Sequence, residues 1–180
     1  MRKIIVVLCV LVSAQLSSQS IFDKFEDSDR IGSVTINKGM LDLVVKMMDD
    51  DRDKETQEFV DVAKGINHIK IFMSEDEGAA ADIAATMKKH VKSAKLEELM
   101  KVRDGDTNLR FYIKNGKDDN HVEELLMLVT GIDENKTSHS DFHFETVLLT
   151  MTGNIDLTKV GALTKKMDLH KGLHKLEKSH

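Results

Sequence analysis

The sequence predicts an α+β fold: a two-layer sandwich in which a mostly antiparallel sheet of about five to six strands carries helices mainly on one face. Helical and strand-like segments alternate before residue 96, which favours crossovers onto one sheet. Four strand-like segments then follow one another up to residue 152, which favours antiparallel pairing. Neither proline nor a long Gly/Ser stretch divides the chain, so we expect a single domain over residues 21–168.

The N-terminal segment from Met1 to Gln19 resembles a secretory signal peptide. A basic start precedes an apolar stretch from Ile4 to Val12, which is shorter than the roughly 20 residues that span a bilayer. Cleavage is expected after Ala14, with a cut after Ser20 as the alternative. The protein is therefore predicted to be periplasmic or secreted.

Cleavage would change both the cysteine content and the charge of the chain. The one cysteine, Cys9, lies in the removed segment, so the mature domain must rely on an ordinary core instead of disulfides. Loss of Arg2 and Lys3 leaves 24 basic side chains against 31 acidic ones and moves the net charge from −5 to −7. Such an acidic domain lacks the basic footprint that nucleic acid or anionic lipid requires.

The segments before residue 96 are assigned from the spacing of their apolar residues. Helical spacing predicts helices, alternation predicts strands, and Gly65 is a stop signal for the third helix. In chain order the elements are a short helix at Ile21–Glu26, a strand at Ser33–Ile36, helices at Met40–Met48 and Phe59–Ile66, a strand at Ile69–Met73, and a helix at Gly78–Ala94.

The segment from Leu96 to Gly131 organises the sheet. Leu109, Phe111 and Ile113 alternate with Arg110, Tyr112 and Lys114, which predicts a strand with one buried face. The run Leu125–Val129 is apolar at every position, which is typical of a central strand or of one covered on both sides. The stretch Leu96–Met100 is interpreted as a strand, although it could also end the preceding helix.

The remaining elements close the domain. Thr146–Thr152 alternates and predicts the last strand, and the apolar spacing from Leu157 to Met167 predicts a closing helix with Asp156 as its N-cap. The predicted order is β-α-α-β-α-β-β-β-β-α. Residues 169–180 are expected to form a flexible tail.

Several strand and turn patterns resemble one family of exported proteins. They are Ala14-Gln15, Phe22–Phe25, Leu96–Met100, Leu109–Lys114 after its Asp-Gly turn, Val122–Met127 and Val147–Leu157. Together they resemble the exported Bacteroidetes proteins of domain-of-unknown-function family 4252, over nearly the whole mature chain. The resemblance implies a small exported protein without an established activity, and it implies no functional residues.

The residues with catalytic potential form no recognised motif. Without Cys9 the chain has no thiol, and no serine lies in a Gly-x-Ser-x-Gly turn. His121 with Glu123 and Asp119 could serve an enzyme that uses carboxylates and histidine, and His90 also has acidic neighbours in sequence. No catalytic residue and no cofactor are assigned.

Metal binding is the other open chemistry, although no metal ligands are assigned. Asp104–Asn108 resembles the start of a calcium loop, but Leu109 and Asn115 occupy the positions that need Gly and Glu, so a β-hairpin turn is expected. Histidine candidates for a transition metal are His139 and His143 with Asp141, and the pair His170 and His174. The acidic clusters Asp49–Asp53 and Glu75–Glu77 are interpreted as solvated turns, with weak calcium binding as the alternative.

The most economical function is a non-catalytic binding or interaction domain in the cell envelope. Leu126 and Leu128 point to the opposite side from Leu125, Met127 and Val129, so both faces of this strand need cover, from helices on both sides or from a partner. The expected partner is an envelope protein or a small ligand, and the protein is not expected to be an integral membrane protein. The alternatives are a small metal-handling protein or an unrecognised enzyme.

Overall fold

The computed structural model describes residues 20–48, 53–132 and 144–158. The strands are β1 (Gly32–Asn37), β2 (Ile66–Ser74), β3 (Glu97–Asp104), β4 (Thr107–Asn115), β5 (His121–Thr130) and β6 (Thr146–Asp156). The helices of these ranges are α1 (Lys38–Met48), α2 (Lys54–Gly65) and α3 (Glu77–Ser93), preceded by a 3-10 turn at Asp23–Phe25. The predicted α+β class is confirmed, and so is the predicted order of the elements within these ranges. The predicted signal peptide, most of the closing helix and the tail lie outside the described residues.

The six strands form one antiparallel sheet in the order β1-β2-β6-β5-β4-β3. The last strand in sequence, β6, therefore lies in the middle and pairs with β2 on one side and with β5 on the other. The hairpins β3–β4 and β4–β5 form the meander that the sequence predicts.

Helices lie on both faces of the sheet, two on one face and one on the other. The α3 face carries α3 and the 3-10 turn over a cluster that includes Phe72, Leu126 and Leu148. The opposite α1/α2 face carries α1 and α2 over a cluster that includes Leu125 and Ile155. Because Leu125 and Leu126 are buried on opposite faces, β5 is covered on both sides, as its unbroken apolar run predicts.

The structure corrects the prediction that β4 has one buried face. Ile113 is buried on the α1/α2 face, but Tyr112 is also buried on the α3 face. The Tyr112 hydroxyl donates a hydrogen bond to Glu98 Oε2 across 2.6 Å. A tyrosine can occupy a buried position when its hydroxyl has such an acceptor, so it counts as apolar in the strand pattern.

The end of α3 explains why Leu96–Met100 does not continue the helix. Lys95 adopts a left-handed conformation with φ 56°, and the Leu96 amide donates to the Val91 carbonyl across 2.9 Å. This six-residue closure is the hydrogen bond of a Schellman motif, which ends a helix. Leu96 then packs in the α3-face cluster, and β3 begins at Glu97.

The segment before β1 is held on the α3 face by aromatic packing and by a cationic side chain. Phe22 and Phe25 pack against Phe72, with ring centroids 6.4 and 5.7 Å from that of Phe72. Lys70 of β2 is only 14% exposed, and its Nζ lies 2.6 Å from Asp23 Oδ1 and 2.8 Å from Glu26 Oε1. The hydrogen bond from Lys70 lowers the pKa of the Glu26 carboxyl below its ordinary value of 4.5.

This lowered pKa makes the contribution of Glu26 depend on pH. The contribution is present above about pH 4.5 and is lost as the pH falls through the lower pKa of the folded state. Glu26→Gln should therefore destabilise the domain by about 1 kcal/mol or less near neutral pH, and by a smaller amount at about pH 3. Urea unfolding at both pH values measures this, with the neighbouring exposed Asp27→Asn as the control. An equal loss at both pH values would contradict the assignment.

Adjacent leucines of β6 allow a second test of the two faces. Leu148 is fully buried on the α3 face, whereas Leu149 is half-buried on the α1/α2 face. Leu148→Ala should lower the free energy of unfolding by about 3 kcal/mol, and Leu149→Ala by about 1 kcal/mol. Chemical denaturation of both variants measures the difference. Equal losses would mean that the two sides of β6 are equally buried.

Candidate binding surface

Two rows of apolar side chains cross the α1/α2 face beyond the part that α1 and α2 cover. The strand register places one residue of each strand in the first row and one residue of every strand except β1 in the second. We call the two rows together the open apolar face. The first row is Val34, Ile71, Leu149, Met127, Phe111 and Met100, and the second is Met73, Val147, Val129, Leu109 and Val102.

None of these side chains is buried. Val34, Met100 and Val102, at the two edges of the sheet, are 43%, 46% and 42% exposed, and the others are half-buried. By contrast, Ile113 and Leu125 in the neighbouring row are buried and belong to the cluster that Leu41 of α1 and Val62 of α2 complete. The two helices therefore cover one end of this face and leave the open apolar face at the other end.

The open apolar face carries no charged or polar side chain. Its chemistry is limited to the burial of apolar area, which is non-directional and favours an apolar partner surface. The five intervals of about 4.8 Å between six strands make it about 24 Å long, and two rows of side chains make it about 14 Å wide. An apolar patch of a few hundred Å² is often functional.

The structure separates the histidine and carboxylates that the sequence suggested for an enzyme. His121 Nδ1 lies 2.6 Å from Asp118 Oδ1, whereas Glu123 Oε2 lies 2.8 Å from Lys114 Nζ. Asp119 is exposed in the turn between β4 and β5. His121 and Glu123 thus have different partners. The hydrogen bond with His121 lowers the pKa of Asp118 below its ordinary value of 3.8.

His90 forms a pair that the sequence analysis did not identify. Its Nε2 lies 2.8 and 3.1 Å from the two carboxylate oxygens of Glu124, and the side chains are only 20% and 14% exposed. Phe22 packs against His90 in an edge-to-face contact, with the two ring centroids 5.3 Å apart. Strand periodicity places Glu124 on the face of Leu126, and helical periodicity places His90 beside Met87, so a sequence signal existed. The partners are 34 positions apart, and only the docking of α3 brings them together.

The acidic clusters have local structural roles. Asp104 pairs with Thr107 across a two-residue turn in which Gly105 has φ 57°, so the predicted β-hairpin turn is confirmed. The Asp76 carboxylate accepts a hydrogen bond from the Ala79 amide at 2.7 Å and caps α3. Asp53 accepts from the Thr56 amide at 3.2 Å in the first turn of α2.

The other metal candidates were tested only in part. Residues 49–52, His139, Asp141, His143, His170 and His174 lie outside the described residues. Within the described ranges, no three or more His, Cys, Asp or Glu side chains are grouped so that they could hold a metal ion.

One family model matches most of the chain. Its description is Domain of unknown function (DUF4252), and it matches residues 25–163. The chain belongs to the DUF4252 family. The match spans every strand and helix described above except the start of the 3-10 turn, so the open apolar face lies entirely within the DUF4252 domain. Neither a curated protein nor a solved structure matches the chain.

Hydropathy gives one further observation on this DUF4252 domain. In the part of the chain that the structure describes, no helix is both long enough and apolar enough to cross a bilayer.

The contact between Asp118 and His121 yields a spectroscopic prediction. The pKa of Asp118 should lie below 3.8 in the native protein and return towards 3.8 in His121→Gln. NMR titration of the side-chain carboxyl signal measures both values, and Lys117→Gln, which keeps the histidine and removes only a smaller charge effect, should raise the pKa less. An unchanged pKa in His121→Gln would show that the imidazole is not the cause.

Proposed function

We propose that this DUF4252 protein is an exported, non-catalytic binding domain of the cell envelope, which docks an apolar helix of a partner protein on its open apolar face. The observation that supports this proposal most is the composition of that face. Two rows of side chains cross the sheet without a charge, and none of them is buried. Leaving so much apolar area in contact with water is unfavourable, and a partner with an apolar surface would remove that cost.

The dimensions of the open apolar face match those of an α-helix. A footprint of about 24 by 14 Å has an area of roughly 300 Å². An α-helix of about 16 residues is 24 Å long and about 10 Å wide, which fits the face.

Two further observations support the non-catalytic and exported parts of the proposal. His121 and Glu123, the residues that suggested acid–base chemistry, bind Asp118 and Lys114 separately. The segment from Met1 to Gln19 has the basic start and short apolar stretch of a signal peptide.

The test is site-specific crosslinking in the native cell envelope. A photoreactive phenylalanine analogue replaces Met127, in the centre of the open apolar face, or Met47 on α1, which is 77% exposed and lies outside this face. We expect a crosslinked partner protein at position 127 and none at position 47. The partner, once purified, should bind the mature domain, and Met127→Glu should weaken this binding by about tenfold or more, while Met47→Glu leaves it unchanged.

Three results would overturn the proposal. Crosslinks from position 127 only to residues 159–180 of the same chain would mean that the protein covers the face itself. Crosslinks only to a second copy would mean self-association, and no crosslink at all would mean that the face stays in water. Should Met127→Glu not fold, Val34→Glu at an exposed edge position of the same face replaces it.

A further inference from the structure

A separate cavity lies on the α3 face, between α3 and the strands β4 and β5. Its volume is about 370 Å³, which is within the range of small-molecule sites. The lining residues come from one helix and two adjacent strands, so rigid elements position them. They are Ala84, Met87, Lys88, Val91, Asn108, Arg110, Tyr112, Leu128 and Thr130.

The cavity combines an apolar floor with a cationic rim. Met87 and Leu128 are buried and provide the floor. Arg110 of β4 and Lys88 of α3 are exposed and approach from opposite sides. A hydrogen bond with Tyr112 and, to a smaller extent, the charge of Glu98 raise the pKa of the Arg110 guanidinium.

Further cations lie beside this rim on the edge strand. The register pairs Lys101 directly with Arg110 and Arg103 with Asn108, so both cations share the α3 face with the cavity. Two like charges directly opposite each other on adjacent strands destabilise a sheet. Glu98, which binds the Tyr112 hydroxyl, offsets only part of this charge. A protein with net charge −5 thus concentrates cations around one cavity, and a bound anion would relieve their repulsion.

We infer that this cavity binds a small amphipathic anion, with its carboxylate or phosphate group on Arg110 and Lys88 and its apolar body against Met87 and Leu128. Arginine forms bidentate, charge-assisted hydrogen bonds with either kind of oxyanion, and lysine adds a second positive charge. The apolar floor selects ligands that carry a hydrocarbon part over bare inorganic anions. This site is on the opposite side of the sheet from the open apolar face, so the inference is independent of the proposed function.

The probes for the test are sodium octanoate, octyl phosphate, octanol and sodium sulfate, each titrated into the full mature chain and followed by amide NMR. Octanoate or octyl phosphate should give saturable shifts confined to α3 and to β4 and β5 near Arg110 and Leu128. The stronger of these two ligands identifies the head group. Octanol lacks the charge and sulfate lacks the apolar body, so each should bind at least about tenfold more weakly.

Substitution of the two rim cations tests whether they hold the bound anion. Arg110→Gln combined with Lys88→Gln should weaken the better ligand by about tenfold or more, because two charge-assisted contacts are lost. Lys89→Gln is the matched control, since Lys89 is the next exposed lysine of α3 and does not line the cavity. Both substituted side chains are exposed, so the fold should be retained.

Several results would overturn the inference. Equal binding of octanol would show that the cations do not contribute, and equal binding of sulfate would show that the apolar floor does not. Shifts confined to residues of the open apolar face, such as Met127 and Val129, would place the ligand on the other side of the sheet. If Lys89→Gln weakened ligand binding equally, the effect would come from the overall charge of the protein and not from the rim of the cavity.

Discussion

The pairing of β6 between β2 and β5 is the constraint on which the rest of the domain depends. Without β6, the described strands would form two separate sheets, β1–β2 and the β3–β4–β5 meander. β6 also contributes to both cores, because Leu148 is fully buried on the α3 face and Ile155 on the α1/α2 face. Both rows of the open apolar face are continuous only because β6 contributes Leu149 and Val147 to them.

A close backbone contact fixes how β6 passes the junction between α2 and β2. Gly153 has φ 154°, and a Cβ there would collide with the carbonyl of Gly65; a Cβ on Gly65 would likewise collide with the carbonyl of Asn154. Glycine is therefore required at both positions. Gly65 thus has two roles, as the helix stop that the sequence indicates and as the contact that lets β6 approach β2.

The local pattern of the sequence predicts the elements but not their assembly. Apolar spacing predicts each helix and strand, since the period of buried side chains is a local property. The position of β6 is set by contacts between residues such as Ile71 and Leu149, which are 78 positions apart, and alternation does not reveal such pairings. The same limit applies to the candidate sites. Within each strand, alternation indicates on which side Leu109, Met127 or Leu149 lies. That the three side chains lie together in the open apolar face follows only from the strand order.

The position of the cations beside the cavity depends on a register shift in β3. Leu99 is an extra residue in β3, because the register shifts between Glu98 and Met100. Strict alternation from Glu98 would place Met100 on the α3 face and Lys101 on the opposite one, whereas the shift places Lys101 opposite Arg110. The inserted residue thus decides which face of the sheet the cations Lys101 and Arg103 occupy, and it is not visible in the residue pattern.

The two proposed sites lie on opposite faces of the sheet, and the edge strand β3 helps to keep them distinct. An exposed edge strand can pair with another chain, and bulges and charged side chains are the common protection against it. β3 has both, with its irregularity at Leu99 and the cation Lys101. Such protection disfavours association through the backbone of β3 while leaving Met100 and Val102 in the open apolar face. The proposed partner is then expected to meet the α1/α2 face by side-chain contact, while the cavity of about 370 Å³ on the α3 face has room for a small ligand.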